Sequence, residues 1–149
     1  MGSVRLVRIL LACGLATAAS VSTMALAVPA GAVDYTTCSS LSGVNLSGQT
    51  ESIGGCTGPT GGSGVFAGPV SSPITITWAD GGTTTVSFKV KTHKKSKCAI
   101  GSTEMSLTGH ATASTGPAQQ IRGMFYATIC TDPNGNLSLL PGKLMLLQT

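Results

Sequence analysis

The run Ile74-Thr75-Ile76-Thr77-Trp78, then Ala79-Asp80-Gly81-Gly82, then Thr83 to Val90 constrains the fold more than any other part of this chain. Apolar residues recur at every second position. Ile74, Ile76 and Trp78 fall on one face of the first segment, and Val86, Phe88 and Val90 on one face of the second. That is the period of a strand, and Asp80-Gly81-Gly82 supplies residues that tolerate positive φ for a tight turn, so the run is a β-hairpin with one buried face. Beyond residue 32 no stretch sustains a 3.6-residue apolar period, which leaves no helix of consequence.

Further strands follow from the same period. Met105, Leu107, Gly109 and Ala111 alternate with Glu104, Ser106, Thr108 and His110. Residues 120–131 read as a longer strand in which Ile121, Phe125 and Ile129 share a face with Gly123 and Ala127, small enough to let a facing layer come close. Asp132-Pro133-Asn134-Gly135-Asn136 turns the chain, and 137–140 and 143–147 close it with two short strands. Before the hairpin, short strands are expected at 35–41, 44–46 and 49–53. The Gly/Pro-rich segment 57–73 reads as a long loop with one edge strand around Val65 and Phe66. About eight short strands with closely spaced turns predict an all-β domain, a single β-sandwich or a small antiparallel β-barrel.

Arg5 and Arg8 precede a mostly apolar stretch over residues 9–28, and Ala30-Gly31-Ala32 places small residues at the −3 and −1 positions before Val33. This pattern predicts a Sec-type signal peptide over residues 1–32 and a secreted domain over 33–149. Thr17, Ser20, Ser22 and Thr23 dilute the apolar stretch, and no basic stop-transfer cluster follows, so no transmembrane segment is expected after cleavage. In the remaining chain Gly, Ser and Thr far outnumber Leu, Ile, Val and Phe, and seven cations face five acids. So small a net charge argues for folding, because disordered chains usually combine apolar poverty with strong charge.

Removing Cys13 with the leader leaves Cys38, Cys56, Cys98 and Cys130, an even number in an exported chain. Two disulfides are expected, with Cys38 joined to Cys56 and Cys98 to Cys130, because sequential loops need the least long-range search; the sequence itself allows three connectivities. A zinc site would need paired C-x-x-C spacing, which is absent.

The chain resembles a group of small exported actinobacterial proteins. The likeness rests on Cys38-x-x-Leu41-Ser42-Gly43, on Gly55-Cys56-Thr57-Gly58 running into Thr60-Gly61-Gly62-Ser63-Gly64, and on Ile76-Thr77-Trp78 followed by Gly81-Gly82-Thr83-Thr84-Thr85. Cys130 before Leu137-x-Leu139 and Pro141-Gly142 completes it. The resemblance covers most of the chain after the leader. It implies a β fold in a bacterial envelope or extracellular setting, and it implies no catalytic residue.

Catalytic constellations are lacking. A nucleophile needs a base and a group that orients the base. Of the two histidines, His110 reads as a solvated strand residue, and Ser63 sits in Gly61-Gly62-Ser63-Gly64-Val65, which fails G-x-S-x-G. Asp80 and Asp132 each precede a turn, which explains them. Residues 132–136 lack the later Gly and Glu of a calcium loop. The Gly-rich run has neither the spacing nor the following Lys of a nucleotide site. No cofactor, metal or nucleotide is implied, and a non-enzymatic binding or structural domain is the leading expectation. A carrier holding a small molecule in a β-sandwich cleft, as the exported apoproteins of enediyne antibiotics do, is the alternative. A small hydrolase comes third.

One segment stands above the background. Lys89, Lys91, Lys94, Lys95 and Lys97, with His93 among them, place five of the seven cations within nine residues. Such a cluster is either a strand edge kept soluble by lysines or a site for anionic surface polymers, phospholipid head groups or an acidic protein. No aromatic residues interleave with it, which disfavours stacking on single-stranded nucleic acid.

Overall fold

The computed structural model describes residues 34–149; the leader predicted over residues 1–32 and its cleavage site lie outside the described residues. The strands are β1 (Tyr35–Cys38), β2 (Ser40–Ser42), β3 (Thr50–Gly54), β4 (Ser63–Ala67), β5 (Ile74–Trp78), β6 (Thr83–Thr92), β7 (Thr103–Thr115), β8 (Gly123–Thr131), β9 (Leu137–Leu139) and β10 (Met145–Gln148). All pairings are antiparallel, in the order β1-β10-β8-β7-β6-β5-β4-β3-β2, with β9 beside β8. β1 and β2 are separated only by Ser39, yet they ladder onto opposite ends of that order: Cys38 opposes Met145 on β10, and Leu41 opposes Ile53 on β3. The sheet therefore curls back on itself into a nearly closed barrel, which decides between the two architectures expected for an all-β chain.

Alternation fills the barrel. Ile53, Ile76, Trp78, Val86, Phe125, Ala127, Ile129 and Leu147 all point inward and are fully or almost fully buried. The Phe88 and Phe125 rings meet with centroids 5.6 Å apart. Gly64 makes room for the largest of these side chains, since a Cβ there would lie 2.6 Å from Trp78 Cε3 and 2.9 Å from Ile76 Cγ2. The indole N–H of Trp78 donates to Thr84 Oγ1 at 2.9 Å, so its one polar atom is satisfied inside the core.

Both disulfides form as expected, Cys38–Cys56 and Cys98–Cys130, closing loops of 18 and 32 residues. In the chain-entropy model such loops contribute about 3 and about 4 kcal/mol.

Three expectations are corrected. Residues 44–46 form no strand: only Val44 bridges Asn136, and Asn45 spends its side-chain oxygen on the Val70 amide at 2.7 Å. The strand around Val65 and Phe66 is no edge, because β4 lies between β3 and β5; the missing side chain of Gly64 hides its alternation in the sequence. The strand expected from residue 120 begins at Gly123, because a short 3-10 helix, Gly116–Gln120, occupies the approach and the Ile121 amide closes onto Ala118 O at 2.8 Å.

Candidate functional site

β6 outruns its neighbour. β5 pairs with it only as far as Val86, and the Phe88 amide goes instead to Ser72 Oγ at 2.8 Å. Lys89, Val90, Lys91 and Thr92 therefore have a strand partner on β7 alone, with Lys89 opposite Thr108 and Lys91 opposite Ser106. Lys89 and Lys91 are exposed on the side opposite buried Phe88. At ~3.3 Å rise per residue they stand ~7 Å apart, with His93 ~7 Å further on.

The loop after β6 folds back over the outer face of β7. The His93 amide donates to Glu104 O at 2.9 Å, and His93 Nε2 lies 2.8 Å from Ser106 Oγ. The Lys97 amide donates to Glu104 Oε2 at 2.6 Å, and Cys98 is tied to Cys130 on β8. Glu104, left only 5% exposed, is the buried post on which the basic loop rests. Lys94, Lys95 and Lys97 remain exposed. All five lysines thus belong to one hairpin end, on a backbone fixed by four separate contacts.

The sequence did not disclose the contact between His93 and Ser106. A hydroxyl beside an imidazole is half of a nucleophilic pair, but the pair also needs a carboxylate on the far ring nitrogen. Among the described residues no carboxylate hydrogen-bonds either ring nitrogen of His93, and Glu104 is engaged by the Lys97 amide. His110 is exposed, opposite Ser87 and Met124 on the neighbouring strands. Asp80 accepts from the Gly82 amide. Asp132 accepts from the Asn134 and Asn136 amides and from the Asn136 side chain. The side-chain bond from Asn136, then its backbone bond, hold the Asp132 carboxyl below its ordinary pKa. These carboxylates build turns.

A second residue missed in the sequence is Glu51. It has the inward parity of Ile53, is fully buried opposite Phe66, and neither carboxylate oxygen has a hydrogen-bond partner. Gly43 and Gly68 lean on the carboxyl group; a Cβ at Gly68 would lie 2.6 Å from Oε1 and 2.8 Å from the Leu46 carbonyl oxygen. Burial raises the pKa of Glu51.

Cavities lie beside exposed residues. One of about 350 Å³ is lined by residues 111–114 with Ile121 and Arg122, one of about 320 Å³ flanks Cys130, Asp132 and Pro141, and one of about 270 Å³ adjoins Phe88, Gly109 and His110. Among the described residues no group of three or more His, Cys, Asp or Glu side chains converges as a metal site, and no helix is long and apolar enough to cross a membrane. No family model, curated protein or solved structure matches this chain.

Proposed function

We propose that this is a secreted, non-enzymatic binding domain that takes a polyanionic partner of the bacterial envelope on the lysine-bearing end of its β6–β7 hairpin. The observation that carries the reading is the fixed basic loop: Lys94, Lys95 and Lys97 are exposed on a segment held by a disulfide, by Glu104 and by Ser106. Anchoring lowers the entropy lost when an anion is gripped. The two disulfides support an oxidising compartment. A carrier would need an enclosed apolar cavity, whereas Trp78, Phe125 and their neighbours occupy the barrel interior.

The second reading, lysines as guardians of an edge, is favoured by the unpaired side of residues 89–92. It accounts for Lys89 and Lys91 but not for the three lysines beyond the strand. Changing Lys94, Lys95 and Lys97 together to Gln separates the two. Retention on immobilised poly(glycerol phosphate) at low salt is expected to fall about tenfold or more, with Tm almost unchanged, because exposed charges contribute little to folding. The parent's retention is expected to fade between 0.1 and 1 M salt as the Debye length contracts from ~10 to ~3 Å. Undiminished retention by the triple variant would leave the lysines as edge protection alone.

A further inference from the structure

We infer that the partner is an anionic lipid bilayer and that the loop between β6 and β7 enters its interface, with Ile100 as the inserting side chain. The inference rests on the anion-binding reading above and adds to it the physical nature of the partner.

Ile100 is 105% exposed, more open to water than in a fully extended reference chain. An isolated exposed apolar side chain needs no explanation on most surfaces. This one is held out by the backbone. Ala99 O accepts from the Ser102 amide at 3.0 Å to close a turn around it, and Gly101 takes φ +83°, a conformation that L side chains rarely adopt. Cys98, two residues before Ile100, is fixed to β8 by its disulfide. Exposed Ala99 precedes it, and exposed Pro133, from the turn between β8 and β9, sits beside Gly101, where a Cβ would lie 3.5 Å from its ring. The tip is thus apolar and stiff, and three exposed lysines lie three to six residues before Ile100.

That pairing discriminates between partners. A hydrophilic polyanion satisfies the lysines and has nothing to offer Ile100. A bilayer with anionic head groups satisfies both, taking the apolar tip below the phosphates and leaving the ammonium groups at their level. The nearest acid on the neighbouring turn, Asp132, has its carboxylate engaged by Asn134 and Asn136, and Glu104 is buried under the loop. Asp132 keeps its charge, held ionised by those bonds, so at a membrane the three exposed lysines outweigh a single accessible carboxylate.

The test uses the disulfide-bonded protein with three probes: vesicles of equal phosphatidylglycerol and phosphatidylcholine, vesicles of phosphatidylcholine alone, and soluble poly(glycerol phosphate). The protein is expected to sediment with the anionic vesicles only. Ile100→Ser is expected to weaken that binding about tenfold, the scale of losing one apolar side-chain contact, while its affinity for the soluble polymer stays the same. The emission of Ile100→Trp is expected to shift to the blue with anionic vesicles and to stay fixed with the polymer. Equal vesicle binding by Ile100→Ser, or an unmoved emission, would overturn the inference. Binding to the polymer without binding to vesicles would overturn it and leave the anion-binding reading standing; binding to neither would remove both.

Discussion

At pH 8, Glu51→Gln is expected to melt about 10 °C above the parent protein, and the gap is expected to close toward pH 4. The carboxyl group is fully buried between Gly43 and Gly68 with both oxygens unpartnered. Ionised there, it would lose its hydration and gain no cation, a cost on the order of 3 kcal/mol. Burial therefore raises its folded-state pKa above the ordinary 4.5. The sign follows from linkage. A carboxyl with a raised folded pKa contributes its full stability below the unfolded value, when both states are protonated. It loses that contribution as pH climbs through the folded pKa, because the unfolded chain releases the proton more readily. Glutamine keeps the shape and stays neutral at every pH, which removes the cost of burying a charge. Asp132, whose pKa is lowered by Asn136, acts in the opposite sense, losing its stabilising bonds as pH falls, but it is common to both proteins and cancels in the comparison. Thermal melts of the two proteins from pH 4 to pH 8 decide the matter. A constant gap across that range, or a parent more stable than the variant at pH 8, would show that Glu51 finds a partner in solution.

The parts of this fold that the sequence disclosed are those set by near neighbours along the chain. The hairpin of β5 and β6 was legible because Ile74, Ile76 and Trp78 keep an unbroken period on one side of Asp80-Gly81-Gly82. The disulfide pairing followed from sequential loops, and the observed bonds join those pairs. β4 was misplaced at an edge because one of its two inward positions is Gly64, whose absent side chain serves Trp78 and erases the signal. Closure into a barrel was not legible, because it depends on β1 and β2 parting to opposite neighbours at Ser39, a residue with nothing distinctive about it.

The candidate site divides in the same way. Five lysines in nine residues are visible in any reading of the sequence. Their fixation is not, because it depends on the loop doubling back over β7 so that Glu104, placed on an outward position, becomes buried beneath it. Ile100 and Glu51 were overlooked for a related reason. Whether an apolar residue in a loop finds cover, and whether an inward acid finds a cation, depends on segments distant in sequence. Among the described residues Ile100 finds no cover and the Glu51 carboxylate no hydrogen-bond partner.

Trp78→Ala is expected to lower folding stability by about 3 to 5 kcal/mol, enough to leave a domain of this size marginal. Trp78 is 2% exposed and among the largest fully buried side chains, so truncation opens a cavity that the surrounding strands, locked in register, fill only in part. Gly64 deepens the loss: it has no side chain to move into the space that the indole vacates. A polar cost accompanies the apolar one. Thr84 Oγ1, fully buried, loses the indole N–H as its donor; the single proton of the Ser114 hydroxyl goes to Ile121 O at 2.7 Å, so across the 3.2 Å contact with Ser114 it is Thr84 that donates. Trp78→Phe keeps most of the volume and removes the donor with the rest of the indole's second ring, so its cost is expected near 1 to 2 kcal/mol. The contrast weighs the large loss of packing against a change dominated by the donor. Both variants are best compared by denaturant unfolding followed by far-ultraviolet circular dichroism, since each removes the protein's one tryptophan. If Trp78→Ala and Trp78→Phe lost the same stability, the indole hydrogen bond rather than the volume beside Gly64 would govern this end of the barrel, and a loss below about 1 kcal/mol for Trp78→Ala would contradict a tightly filled interior.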